Sequence, residues 1–299
     1  MIKIAFHPIY KHPLPEGHRF PMLKYELIPE QLLYEGTFSE NNFFEPEEVD
    51  LKDVLRVHSQ QYVNDLLNLR LSQKMIRKIG FPLTKELVYR EKIITQGTID
   101  CCGFAFTNGV AFNVAGGTHH AYSDSGEGFC LLNDVAVAAS KLLHEGKVRK
   151  IFVIDLDVHQ GNGTAKIFEN ESRVFTFSMH GKDNYPLNKE QSDFDMELFT
   201  GTEGDLYLDL LYSNLPKLIN KHDPDFLFYV AGVDVLKTDK LGKLGLSKED
   251  CKQRDRFVFE LAKKWNLPVA IVMGGGYSPN IIDIVDAHCT TFREANELF

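Results

Sequence analysis

The chain has only five cysteines, Cys101, Cys102, Cys130, Cys251 and Cys289, and no two of them have C-x-x-C spacing. An odd number without paired spacing argues against a disulfide framework and against a thiolate zinc or redox site. They read instead as reduced packing residues of a reducing compartment. No run approaches the roughly 20 apolar residues of a membrane span. The opening Met1–Phe6 is too short for a signal-peptide apolar region and reads as a strand. The expectation is a cytoplasmic protein with no membrane span. There is no basic excess either. The formal net charge is -9, which argues against a direct nucleic-acid footprint built from clustered Lys and Arg. It leaves open a basic protein tail as substrate. No repeat, low-complexity tract or Pro/Gly/Ser linker divides the sequence, so one domain over residues 1–299 is expected.

What is present is ordinary for a globular protein, with 43% hydrophobic and 25% charged residues. The length is enough for a sizeable core. Helical and strand periodicities alternate along the chain. Strands are predicted at Ile2–Phe6, Val110–Val114, Ile151–Ile154, Val174–Ser178, Phe226–Val230 and Val269–Met273. Helices are predicted at Pro21–Tyr34, Ser59–Arg70, Thr84–Phe106, Asn133–His144, Ala165–Glu169, Asp205–Lys221, Lys248–Trp265 and Asn280–Glu297, with Asn133 as an N-cap. Alternation of this kind implies βαβ units: an α/β fold with a central, mostly parallel sheet flanked by helices on both faces.

Ligands of such sheets bind beyond the carboxyl ends of the strands. Five predicted strands run into chemistry-bearing residues there: Gly116-Gly117-Thr118-His119-His120, Asp155-Leu156-Asp157-Val158-His159, His180, Ala231-Gly232-Val233-Asp234 and Gly274-Gly275-Gly276-Tyr277. In an extended segment Asp157 and His159 point to the same side, and carboxylate plus imidazole suits zinc or a similar metal. A capping Asp beside a hydrogen-bonded core His would give the same pattern. Asp234 as third ligand would balance a divalent charge and leave one coordination position open; it could equally be a helix cap. Asp155 could support a neighbouring His. His119-His120, on a glycine turn, are candidates for acid–base chemistry. Tyr277 could donate to an oxyanion or simply pack. The Gly-rich turn before it lacks the Lys-Ser/Thr of a phosphate loop. Gly128 and Phe129 could line a pocket or equally anchor a loop, and Tyr185 is a weaker candidate for the facing wall.

The ordered motifs Gly116–Ala121, Gly128-Phe129-Cys130, Asp155–Thr164, Ala231–Asp234 with Asp239–Gly242, and Gly274–Tyr277 together resemble the histone deacetylase superfamily. This superfamily includes acetoin-utilisation-type and acetylpolyamine amidohydrolases. The compact length and the stretch His18–Tyr25 look most like the class IV branch, of bacterial type. The resemblance implies an arginase/deacetylase-like fold and one catalytic Zn²⁺ held by Asp157, His159 and Asp234. It implies His120 as general base, and His119, supported by Asp155, as its electrostatic partner and a proton source for the leaving amine. Tyr277 would polarise the scissile carbonyl, and Phe129 would form one wall of an acyl-lysine tunnel. A structural K⁺ would reuse Asp155, Asp157 and His159 with backbone oxygens near Ser178 and Met179. Two positions depart from the commonest class I pattern: Gln160 stands for a frequent His, and Asn162 for the Asp that supports the base. An amide stabilises an imidazolium less than a carboxylate does, so the His120 pKa should be lower than with Asp there.

The function implied is removal of acetyl or longer acyl groups from lysines of an acylated protein or peptide. Alternatives are deacetylation of small amines such as acetylpolyamines, a binuclear manganese ureohydrolase, and a non-catalytic acyl-lysine reader. The ureohydrolase needs bridging carboxylates that Gly161 and Leu236 do not supply. A reader would not need ligands, base and Tyr277 together. The residues leave acyl length and oligomeric state open.

Overall fold

The apolar runs of the sequence become strands that are buried on both sides, as parallel sheets require. The computed structural model describes residues Met1–Phe299. In chain order the elements are β1 (Lys3–Ala5), α1 (Lys24–Tyr34), β2 (Phe43–Phe44), α2 (Leu51–Val54), α3 (Gln60–Leu67), α4 (Gln73–Ile79), α5 (Lys85–Asn108), β3 (Val110–Asn113), α6 (Asp134–His144), β4 (Ile151–Asp155), α7 (Asn162–Phe168), β5 (Val174–Gly181), β6 (Phe194–Leu198), α8 (Gly204–His222), β7 (Phe226–Val230), α9 (Lys248–Lys264), β8 (Val269–Val272) and α10 (Ile281–Leu298). The eight strands form one sheet in the order β2-β1-β3-β8-β7-β4-β5-β6. Every pairing is parallel, so the sheet is wholly rather than mostly parallel.

Side chains of a strand alternate between its faces, and here that alternation builds two cores. Phe152, Ile154, Leu227, Tyr229 and Ile271 point into one, which also takes Ile28 of α1, Leu211 of α8, Phe259 of α9 and Phe292 of α10. Ile151, Val153, Phe226, Phe228 and Ala270 point into the other, closed by Cys101, Cys102 and Ala105 of α5 and by Val135 and Ala139 of α6. All five cysteines are buried and free, as expected of packing residues. No helix is long and apolar enough to cross a membrane.

Asn133 caps α6 as predicted, accepting from the Ala136 N–H at 2.9 Å. The differences from the sequence reading have physical causes. β6 is a half-exposed edge strand whose alternation Phe194-Asp195-Met196-Glu197 lacks an apolar run. β2, α2 and α4 are too short for periodicity to reveal. α7 begins at Asn162, not Ala165, because tertiary packing overrides weak helix propensity there. Gly163 lies so close to the His119–Ala121 segment that a β-carbon on it would sit 2.3 Å from the Ala121 carbonyl oxygen.

Candidate metal centre and active site

The carboxyl ends of β3, β4, β7 and β8 lie side by side in the sheet, so the loops that follow them share one edge. β4 stops at Asp155, and Leu156–Gln160 form an irregular turn rather than the extended segment assumed from the sequence. Asp157 and His159 still converge, because the turn folds on its own side chain: Asp157 Oδ1 accepts from the His159 N–H at 2.9 Å. His159 Nδ1 lies 3.0 Å from Asp157 Oδ1 and 3.1 Å from Asp234 Oδ2. All three residues are buried, and their ligand atoms lie within 4.8 Å of one another.

The surrounding backbone fixes these carboxylates. The Gly275 N–H donates to Asp157 Oδ2 at 2.6 Å, and the Val158 N–H to Asp234 Oδ1 at 2.9 Å. Gly275 must be glycine for a steric reason: a β-carbon would sit 1.9 Å from Asp234 Oδ2 and 2.9 Å from Asp157 Oδ2. Burial opposes the charge of His159, but hydrogen bonds and charges of Asp157 and Asp234 raise its pKa to about 10. Burial, then the neighbouring Asp157 charge, pushes Asp234 up to about 7 despite His159. His159 Nδ1 thus faces two buried carboxylates at once. A divalent cation with an open position suits this donor set better: three N/O ligands, two of them anionic.

The histidine pair sits beside this cluster. Its turn is organised by a residue that the sequence reading passed over, Asp134. Asp134 accepts from the Gly117 N–H at 3.2 Å, the Thr118 N–H at 2.8 Å and the Thr118 hydroxyl at 2.6 Å. His119 Nδ1 lies 2.7 Å from Asp155 Oδ2, the support expected of Asp155. His120 Nδ1 lies 2.6 Å from Asn162 Oδ1. The two rings are 4.2 Å apart but titrate in opposite directions. Burial lowers the His119 pKa, and the charges of Asp155 and Asp157 overcome it, raising it to about 9. Burial depresses His120 well below the ordinary value, and the neighbouring His119 and His159 add to that. Burial dominates, and the Asn162 bond works against it without reversing it. Gln160, at the other departure, bridges to Glu190 and Asp195, donating to the Glu190 carbonyl at 2.7 Å and to Asp195 Oδ1 at 2.8 Å.

A cavity of about 260 Å³ opens onto this cluster, lined by His120, His159, Tyr277, Gly128, Phe129 and Tyr185, with Arg19, Lys78, Asp183 and Lys243 among its other lining residues. Gly128 at φ +56 presses on the histidine; a β-carbon there would meet His120 Cδ2 at 2.6 Å. Phe129 also holds a positive φ of +69, so the turn lays its ring 5.9 Å from that of Tyr277. Tyr185 stands edge-on to His120, with ring centroids 5.0 Å apart. The Tyr277 hydroxyl is held protonated: burial and the charges of Asp234 and Asp157 raise its pKa well above the ordinary value. His180 is not part of the cavity lining. It is fully buried in β5 with Nδ1 2.9 Å from the Ser178 hydroxyl. The sequence reading also gave no role to three buried charges around the site. Lys24 donates to the Gly274 carbonyl at 3.1 Å, and burial lowers its pKa to about 8. Arg254 donates to the Gly232 carbonyl at 2.7 Å and the Leu156 carbonyl at 3.3 Å, bracing both ligand loops. Glu127 lies behind Asn162. Charged residues inside amphipathic helices or loops read as solvated faces, and although Lys24 falls in the His18–Tyr25 stretch, nothing in the sequence marked any of the three as buried.

Comparison with known proteins agrees with this geometry. The histone deacetylase domain model matches residues 18–292. An uncharacterised protein of Picosynechococcus is 40% identical over 296 residues, covering 99% of both chains. Histone deacetylase 2 of Arabidopsis thaliana is 29% identical over 269 residues, 87% of this chain and 70% of that one. The crystal structure of an HDAC homologue complexed with SAHA superposes with a TM-score of 0.86 at 23% identity, over 100% of this chain and 84% of that one. An HDAC homologue from Aquifex aeolicus gives 0.85 at 21% identity, with the same coverage of both chains. These last two likenesses show the shared arginase/deacetylase fold. The chain belongs to the histone deacetylase family, and with it to the deacetylase hydrolases.

Proposed function

We propose that this chain is a zinc-dependent amidohydrolase that removes acyl groups from lysine side chains of proteins or peptides. The observation that carries the reading is a cavity lined by His120, His159 and Tyr277, with Asp157 and Asp234 grouped on His159 and the His119 ring 4.2 Å from that of His120. A bound zinc ion, held by Asp157, His159 and Asp234, would supply Lewis-acid activation of water and of the substrate carbonyl.

The chain's own residues do the rest. His120, neutral and with Nδ1 turned to Asn162, presents Nε2 as the base that takes the proton of the attacking water. Tyr277 donates its hydroxyl to the carbonyl oxygen as negative charge develops there. His119, kept cationic by Asp155, stabilises that charge and is the proton source for the leaving amine. Phe129 and Tyr185 flank the acyl-lysine stem, leaving the charged rim for the substrate body. On that rim Arg19 and Lys243 face Asp183, Lys78 being paired with Glu127, a balance that offers polycationic acetylpolyamines no acidic patch. Asp157, His159 and Asp234 form the one cluster of metal-type ligands, which supports a single-metal site over a binuclear one.

The test is a deacylation panel from acetyl- to myristoyl-lysine peptides, with acetylpolyamines alongside. Turnover of at least one acyl-lysine peptide, abolished by Asp157→Ala and Asp234→Ala, is expected. Preference for acetylpolyamines would overturn the substrate assignment, and turnover surviving both substitutions would overturn the metal assignment.

A further inference from the structure

A base works only if its free nitrogen faces the substrate, and a neutral imidazole has one donor and one acceptor nitrogen. In His120 the choice is set by Asn162, whose side chain is itself ambiguous. An Asp in that position would accept through either oxygen. An Asn offers an oxygen or an NH₂, and the wrong face would donate to Nδ1 and force the proton onto Nε2. Something must therefore hold the amide in one orientation.

The structure provides that restraint. Asn162 is fully buried, and both protons of its NH₂ have acceptors: Glu127 Oε1 at 2.8 Å and the Tyr122 hydroxyl oxygen at 2.9 Å. The Tyr122 hydroxyl proton is directed to Glu190 Oε1 at 3.2 Å, which leaves its oxygen free to accept. Glu127 is 2% exposed. Its Oε1 also accepts from the Tyr185 hydroxyl at 2.8 Å, and its Oε2 pairs with Lys78 of α4. A flipped amide would set its oxygen against a buried carboxylate, a contact with no proton between two acceptors.

We propose that Glu127 is a positioning residue for the base. Its carboxylate orients Asn162, and Asn162 in turn keeps the proton of His120 on Nδ1 and the lone pair of Nε2 toward the cavity. This rests on the reading of His120 as general base. It assigns to the loop before Gly128 the job that a carboxylate in place of Asn162 would do alone. Lys78 and Tyr185, both at the cavity mouth, hold the Glu127 carboxylate in turn.

The experiment reads the His120 tautomer directly, by ¹⁵N-histidine NMR of the metal-loaded full chain, with the signal assigned by its loss in His120→Ala. Wild type should show the Nδ1–H form. Glu127→Ala should lose that form and lower kcat about 10- to 100-fold, the usual range for an orienting partner, with KM changed less than twofold. Adding Asn162→Asp to Glu127→Ala should restore both, because a carboxylate needs no orienting. An Nε2–H tautomer in wild type would overturn the proposal with no variant needed. So would Glu127→Ala that keeps the Nδ1–H form, whether or not kcat falls. The tautomer is read without substrate, so a chain inactive on acyl-lysine but with a Glu127-dependent tautomer would refute the functional assignment and leave the positioning role standing.

Discussion

Substituting Gly275 by Ala adds one methyl group at the centre of the metal site. Its β-carbon would lie 1.9 Å from Asp234 Oδ2, 2.8 Å from Asp234 Cγ and 2.9 Å from Asp157 Oδ2. To restore even a 3.0 Å separation, the Asp234 oxygen must retreat by about 1.1 Å. Metal–ligand distances tolerate only about 0.2 Å. Asp234 has little room to yield, because its other oxygen is held by the Val158 N–H. Asp234 is therefore displaced by far the most, with Asp157 only grazed at 2.9 Å. The expected result is metal affinity at least about 100-fold weaker, near 2.7 kcal/mol, with turnover lost in proportion. The assay is isothermal titration with Zn²⁺ after chelator stripping, with metal content measured by mass spectrometry and the fold checked by circular dichroism. A variant that keeps its fold and binds zinc as tightly as wild type would refute the placement of Asp234 as a ligand.

Three further outcomes follow from the same geometry. If the cationic form of His119 is the active one, activity falls as pH rises through its pKa, about 9. The charge of Asp155 raises that pKa, so Asp155→Asn should move the alkaline limb of the kcat–pH profile to lower pH; an unchanged limb would exclude His119 as the titrating group. Arg254→Met strips the partner from two ligand-loop carbonyls and from buried Asp255, so chemical denaturation should show a loss of about 3–5 kcal/mol, and a loss below ~1 kcal/mol would contradict the bracing role. Glu35, bonded to Arg293 across α1 and α10, has its pKa depressed to about 2. A depressed carboxylate stabilises above its unfolded pKa and loses that contribution as pH falls toward about 2. Arg293→Ala should therefore cost up to ~1 kcal/mol at neutral pH, since the pair is partly exposed, with the difference from wild type vanishing near pH 2 in acid-unfolding curves.

Much of the candidate site's geometry was legible because ligands of a parallel sheet bind beyond the carboxyl ends of its strands. Asp157, His159, Asp234, His119, His120 and Tyr277 each follow an apolar run, and the fold brings all six to one cavity floor or its immediate surroundings. Asp155 was legible as support for a histidine for the same reason. The framework around them was not legible. Glu127 lies in a loop that reads as solvated, yet it is buried by its contacts with Asn162, Tyr185 and Lys78. Arg254 and Lys24 sit on helices where a charge normally faces water, and only tertiary packing turns them inward. β6 escaped notice because an edge strand buries half its residues, and the start of α7 because tertiary contacts, not propensity, set it. The fate of Asn162 shows the limit most clearly. The sequence marks a missing carboxylate, but only the fold shows that another carboxylate stands one residue behind it.

The most direct test of the central claim is a zinc titration of hydrolysis. The full chain is stripped with chelator and supplied with increasing Zn²⁺ while release of free lysine side chains from an acetyl- or longer acyl-lysine peptide is followed. The account predicts negligible turnover without metal and a linear rise that ends at one equivalent per chain. Full turnover in the stripped protein, a break at two equivalents, or no turnover of any acyl-lysine peptide at saturation would contradict it.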